Sequence, residues 1–570
     1  MKRALLLLFG LTLAAFGQED VVLKAMRDEL ARSMKDLRME NLSKPYFISY
    51  RVDDADGGSL SATLGQLTSS NFGRGRALAV HVRVGDYQLD NTNFLSGRPG
   101  SAPHLLPLDD DYDQIRRDIW LATDAEYKQA SATLAAKRSV LERRKSPASL
   151  PDFTRQAPVT VNEPAAMLRI DVPALEQLAR EVSAIFRGSP EILGSDVQIT
   201  VANVTTHLLD SEGSLTTAVR TGVDLHVGAR TQAPDGTALS DGFHVHGRSL
   251  DVLRSDELRP RTRALLARLK ALRAAPALDR YNGPVLFEDE SAAQVFAQVF
   301  APAVSAFRIP IGEDPQVENQ IQQVLDQFGY SLADRVGARV LPEAFDVTDN
   351  PLLHAFSGVP LVGWRAVDTD AVPSREVTLV ENGTLKSLLA TRVPTPQTAA
   401  STGSASGPGL AATSNLFVTA RKSRTAAELR QELLRVAKQR GYGYGIVIRH
   451  VGDLGLSALM RMSMGRMSPD AATVAAYKLF EDGHEELVRA QIAPLPVAAF
   501  KDILAAGDEP GVYDIGSLLF IGSMTGGAPG MSWSSFVVPP LLFEEVSLKA
   551  PSGPSPTPPV VASPLAATAN

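Results

Sequence analysis

Apolar residues in this chain change their period repeatedly, and that switching limits the folds open to it. From Val22 to Leu37 they recur every third or fourth position (Val22, Met26, Leu30, Met34, Leu37), which is one face of an amphipathic helix. From Leu78 to Val84 they recur at every second position, with His81 and Arg83 between them, the pattern of a half-buried strand. Tyr46 to Val52 reads as a further strand, and Tyr112 to Arg144 and Pro173 to Phe186 as helices. Val197 to Val201, Val223 to Val227 and Gly242 to His246 form a meander, with turns at Asp210 to Gly213 and Ala233 to Gly236. Ser255 to Ala275 is a basic helix ahead of a break at Pro276 to Gly283.

The second half mixes its elements in the same way. Gly283 to Phe287 predicts a short strand, and Ser291 to Ala306 an apolar helix. Glu376 to Lys386 is a hairpin turning at Asn382-Gly383, and Tyr477 to Gly483 enters another. Between them, Thr425-Ala-Ala-Glu428 opens a helix with a capping box, which stops at Gly441. Ser532 to Val538 and Leu541 to Leu548 are the closing strands. No strict strand–helix–strand alternation runs through this order, so the fold class is α+β.

At 570 residues, 44% of them hydrophobic, the chain is far from the composition of a disordered one. A net charge of −7 and no basic patch interleaved with aromatics argue against nucleic acid as a partner. The absence of cysteine excludes disulfides, thiol catalysis and cysteine-held zinc. Lys2 and Arg3, the apolar run Ala4 to Gly17, and small residues at Ala15 and Gly17 predict a signal peptide over 1–17. The expectation is therefore an exported protein, periplasmic or extracellular, with no membrane span after cleavage. Residues 18–276 would form an N-terminal α+β part, a mixed sheet with helices. Residues 277–550 would form a largely antiparallel C-terminal domain, and 551–570, rich in Pro, Ser and Ala, a disordered tail.

Several catalytic signatures are missing. No G-x-x-x-x-G-K-[ST], G-x-S-x-G or H-E-x-x-H occurs, and His484 belongs to an exposed turn. His244 and His246 are the local metal candidates, because residues two apart on a strand share a face. A third ligand would come from Asp241, His226 or elsewhere. Ser401 to Gly409 reads as a flexible glycine-rich loop, and Gly441 to Gly445 as a helix stop leading into the Ile446 strand.

Five segments then resemble one family in order and spacing. They are Tyr281 to Ala293, Asp368 to Leu389, Ala412 to Val418, Asp210 to Gly213, and Pro540 to Val546. Together they resemble the TldD/PmbA proteins, a metallopeptidase-like family once described as modulators of DNA gyrase. The resemblance implies a two-domain architecture and a role in proteolysis. Active members carry an H-E-x-x-x-H zinc motif on a central helix, completed by a cysteine. Here the corresponding helix places Gln294, Val295 and Val299 at the motif positions, and no histidine lies between His246 and His354. The resemblance thus implies the motif-less PmbA (TldE)-type subunit, a pseudoenzyme with no catalytic residues and no cofactor. Such a subunit binds unfolded peptide or joins a zinc-bearing TldD-type partner in a homo- or hetero-oligomer. Arg375 and Asn415 match family landmarks and are the peptide-binding candidates. The alternative is an active metallopeptidase using zinc at a non-standard site, with His244 and His246 as ligands.

Overall fold

Two very long hairpins build the first half of the molecule, and their length is not what the sequence suggests. The computed structural model describes residues 20–95, 104–145, 150–327, 331–451, 473–519 and 530–551, with 559, 561, 563 and 564 beyond. Residues 1–17, expected from sequence to be a signal peptide, and most of the tail lie outside these described residues. Pro45–Thr63 and Gln66–Val84 pair antiparallel along their whole length, turning at Leu64-Gly65, both at positive φ. Gly57 and Gly58 continue the strand well beyond Val52, where the strand expected from sequence ended. A Cβ at Gly57 would sit 2.2 Å from the Val201 carbonyl oxygen, so only glycine lets the neighbouring strand approach this closely. Gly194–Asp210 and Leu215–Gln232 form the second hairpin, joined edge to edge with the first, and Ala238–Gly247 adds to it. Thr160–Glu163 pairs in parallel, so the sheet is mixed.

Helices cover one face of this sheet. Val21–Asp36 and Tyr112–Arg144 pack on Ile48, Tyr50, Val52 and Leu78, while Val172–Ser183 and Ser255–Ala274 pack on Leu60, Val223, Leu225 and Val227. Because strand residues alternate, Asp224 and His226 lie on the opposite face. That second face turns toward the C-terminal half.

In the C-terminal half, Tyr281–Phe287, Gly445–Ile448, Thr473–Leu479, Glu485–Ile492 and Leu541–Lys549 close into a ring of paired strands. A six-stranded sheet runs in the order Thr384–Leu385, Val377–Glu381, Phe345–Asp349, Asn415–Ala420, Gly530–Val538, Gly511–Leu519. Between them sits the helical run 291–303, with Phe296 and Phe300 against Phe500. Residues Phe296–Phe300 of that run form a π-helical turn. The capping box at Thr425 and Glu428 is present, and the following helix spans Ala426–Gln439. Most pairings here are antiparallel, and the α+β class holds throughout. Among the described residues no helix is long and apolar enough to cross a membrane.

The glycine-rich segment 401–409 departs from expectation. Thr402, Ser404 and Ala405 are buried, and the Ala405 N–H donates to Asp368 Oδ2 at 2.9 Å. Thr402 N–H donates to the Ala390 carbonyl, and a Cβ at Gly403, where φ is positive, would lie 2.4 Å from the Pro373 carbonyl oxygen. This is a tied-down connection rather than a flexible loop, because its polar groups find backbone and carboxylate partners. Low side-chain bulk is what allows it to be buried.

Candidate functional site

On the uncovered face of the N-terminal sheet, register sets polar residues side by side. Asp224 stands opposite His246, and His226 opposite His244. The ring centroids of His226 and His244 are 4.5 Å apart, and those of His244 and His246 are 5.6 Å apart and nearly parallel. His226 Nδ1 lies 2.8 Å from Asp196 Oδ2, and Asp241 is held by two hydrogen bonds from Arg268. Neither of the third ligands expected from sequence is therefore free. Asp224, His244 and His246 instead form a group whose ligand atoms all lie within 4.8 Å of one another. His244 reaches solvent on the wall it shares with a cavity. Even so, desolvation by the surrounding protein, and then repulsion from the His226 and His246 imidazoles, hold its pKa down to about 4. It is neutral near pH 7.

The C-terminal half closes over this array. Trp533 packs on the sheet at Gly222, where a Cβ would lie 2.4 Å from the indole, and its ring centroid is 6.0 Å from that of His246. Gly511–Leu519 runs beside it, and its residues Tyr513 and Asp514 line a cavity of about 750 Å³ together with His244, His246, Glu290 and Arg261. Burial pushes the Asp514 carboxyl up to about 6, against a hydrogen bond from Ser535.

Behind the same cavity, the central helix holds a hub that reaches two of its lining residues, Glu290 and Tyr513. Gln294 is almost wholly buried; its Nε2 donates to the Tyr513 hydroxyl at 3.0 Å and lies 3.1 Å from His450 Nδ1. Its Oε1 accepts from the Val451 N–H at 2.6 Å. His450 Nδ1 in turn lies 2.5 Å from Glu290 Oε1. Burial raises the Glu290 carboxyl, but the His450 hydrogen bond and charge, with Arg261 and Arg268, outweigh it and hold the group below its usual range. Val295 and Val299 are buried in the apolar core. A carboxamide engaged at both ends and two valines packed among phenylalanines do not fit a zinc ion at these positions. Glu290, His450 and Tyr513 lie far apart in sequence, on elements that only the tertiary fold brings together; no local pattern announced them.

Arg375 and Asn415 are not part of this assembly. Arg375 is exposed and donates to the Ser401 carbonyl. Asn415 is fully buried and uses its amide on the backbone, donating to the Asn350 and Leu353 carbonyls and accepting from the Gly363 N–H. Asn415 therefore fixes the connection that follows Asn350. His484 sits on its exposed turn, stacked on Phe480, as its position in the hairpin implied.

Residues 280–550 match the family model for the PmbA/TldA metallopeptidase C-terminal domain. Comparison with curated proteins gives no match. Among solved structures, a protein described as a modulator of a DNA gyrase from Thermotoga maritima MSB8 superposes with a TM-score of 0.58 at 13% identity, covering 92% of this chain and 99% of that one. TldE from Thermococcus kodakarensis gives a TM-score of 0.54 at 14% identity, over 92% of this chain and 99% of that one. A protein described as a modulator of DNA gyrase from Bacteroides thetaiotaomicron VPI-5482 gives 0.57 at 12%, over 92% and 98%. At such identities these likenesses concern the fold. Residues 280–550 thus form a PmbA/TldA metallopeptidase-type C-terminal domain, set in a chain whose overall fold is that of these three structures.

Proposed function

We propose that this chain is an exported, non-catalytic family member that holds unfolded peptide, alone or as partner to a zinc-bearing subunit. One observation carries the reading. Among the described residues, Gly511–Leu519 is an edge strand, hydrogen-bonded to Gly530–Val538 alone, and its residues 511–514 line the cavity. An extended peptide can add to such an edge through its own backbone, whatever its side chains. The residue types at 294, 295 and 299 support a degenerate zinc site, in which no water is brought to a reactive pKa.

The charge of the walls favours one class of peptide. Asp289, Glu290, Asp508, Glu509 and Asp514 line the cavity against Arg261 and Arg430, and Arg430 is already bound to Glu288 through two hydrogen bonds. A lysine- or arginine-bearing extended peptide is the complementary ligand. Asp508 and Glu509 are exposed at the rim, so reversing them leaves the fold intact. Asp508→Lys/Glu509→Lys is expected to weaken binding of a basic, unstructured peptide about tenfold, roughly 1.4 kcal/mol, with an unchanged melting temperature. Fluorescence anisotropy of a labelled peptide reads this out, and equal affinity in parent and variant would count against a peptide-holding cavity.

A further inference from the structure

We propose that Asp224, His244 and His246 form a binding site for one divalent transition metal of the zinc class, on the face of the N-terminal sheet that meets the C-terminal half. This goes beyond peptide holding and does not depend on it. It is also separate from positions 294, 295 and 299, whose side chains supply no ligand.

Three observations support the assignment. The first is the register. His244 and His246 share a face of one strand, and Asp224 stands directly opposite His246 on the next, so three donors from two rigid strands converge without any loop. The second is their spacing. All three ligand atoms lie within 4.8 Å of one another. Ligand atoms on a tetrahedral zinc stand about 3.3 Å apart, given bonds of about 2.0–2.2 Å, so modest side-chain rotations complete the set. The third is an unsatisfied atom. His246 Nδ1 is buried with no hydrogen-bond partner, in a side chain only 6% exposed, although Asp224 Oδ2 lies 2.6 Å away. The two approach without the alignment of a hydrogen bond. A buried ring nitrogen left in this state is destabilising, and a metal bond would satisfy it.

The donor chemistry selects the metal. Two imidazoles and one carboxylate suit zinc and its neighbours, whereas calcium and magnesium call for oxygen ligands. Three protein ligands leave a further coordination position, and His244 and His246 both line the cavity, so that position is accessible from it. Nearby carboxylates do not compete for the three donors: Asp241 is held by Arg268, and Asp196 by His226.

The test uses the full chain, stripped with a chelator and then dialysed against zinc chloride, with bound metal measured by emission spectrometry. One zinc per chain is expected, and cobalt(II) in its place should show the visible absorption of a low-coordinate nitrogen–oxygen site. Because His244 is solvent-accessible, His244→Ala keeps the fold and should weaken zinc binding about 100-fold. The isosteric Asp224→Asn should weaken it too and serves if the first variant does not fold. His484→Ala, at an exposed turn far along the chain, should bind as the parent does. No zinc binding at micromolar concentration would overturn the assignment. So would zinc held equally by the parent, His244→Ala and Asp224→Asn, or a preference for calcium over zinc.

Discussion

Arg392→Met is expected to lower the free energy of unfolding by about 3–5 kcal/mol, because it leaves buried charge without its counter-charge. Arg392 is 1% exposed and stitches the two halves together. Its Nη2 donates to Glu212 Oε2 and to the Thr154 carbonyl, both at 2.6 Å, and its guanidinium lies over the rings of Phe153 and Phe47. Its own N–H donates to Asp370, a buried acid whose pKa desolvation raises and Arg392 lowers. Methionine fills much of the same space but offers neither charge nor donors. Glu212 would keep only the Tyr87 hydroxyl, and Asp370 would lose its nearest cation. Urea unfolding of parent and variant at neutral pH measures the loss. Adding Glu212→Gln should recover part of it, since the orphaned charge is then removed. A loss below about 1 kcal/mol would show that Arg392 is dispensable to the junction.

The second large effect depends on pH. Asp349 is fully buried, and burial pushes its carboxyl up to about 6, against hydrogen bonds from the Ser414 N–H and hydroxyl and the charge of Arg365. An acid whose pKa is higher folded than unfolded binds its proton more tightly in the native state. Its contribution is therefore complete below the unfolded value of 3.8 and declines as pH rises to about 6. Asp349→Asn removes that penalty while its amide still accepts from the Ser414 N–H. At about pH 8 the variant should be more stable than the parent by about 3 kcal/mol, two units at 1.36 kcal/mol each. Near pH 4 the gain should vanish. Urea midpoints across this range decide it; a gain independent of pH, or a loss at pH 8, would contradict the burial argument.

These two residues also show where sequence reasoning stops. Local signals were legible: the capping box at Thr425, the positive-φ turn at Asn382-Gly383 and the helix over Tyr112–Arg144 all formed where spacing and turn chemistry placed them. The long strands were not, because Gly57 and Gly58 resemble a loop until a neighbouring strand is known to press against them. At the site, the period of two put His244 and His246 on one face, but their partner was set by inter-strand register. Asp241, the nearer acid in sequence, is drawn off by Arg268, whereas Asp224 stands opposite His246 across the ladder. Arg375 and Asn415 matched landmarks, yet one lies on an outer hairpin and the other is spent on backbone. Likewise, Gln294 became interpretable only once Tyr513 and His450 appeared beside it.

The central claim is that the chain holds peptide without cutting it. Incubating the purified chain, alone, with fluorescein-labelled casein tests it in one experiment that reads both anisotropy and fragment release. A rise in anisotropy with no fragments, with or without chelator, is the expected result. Fragments that appear with the chain alone and disappear with chelator would contradict it.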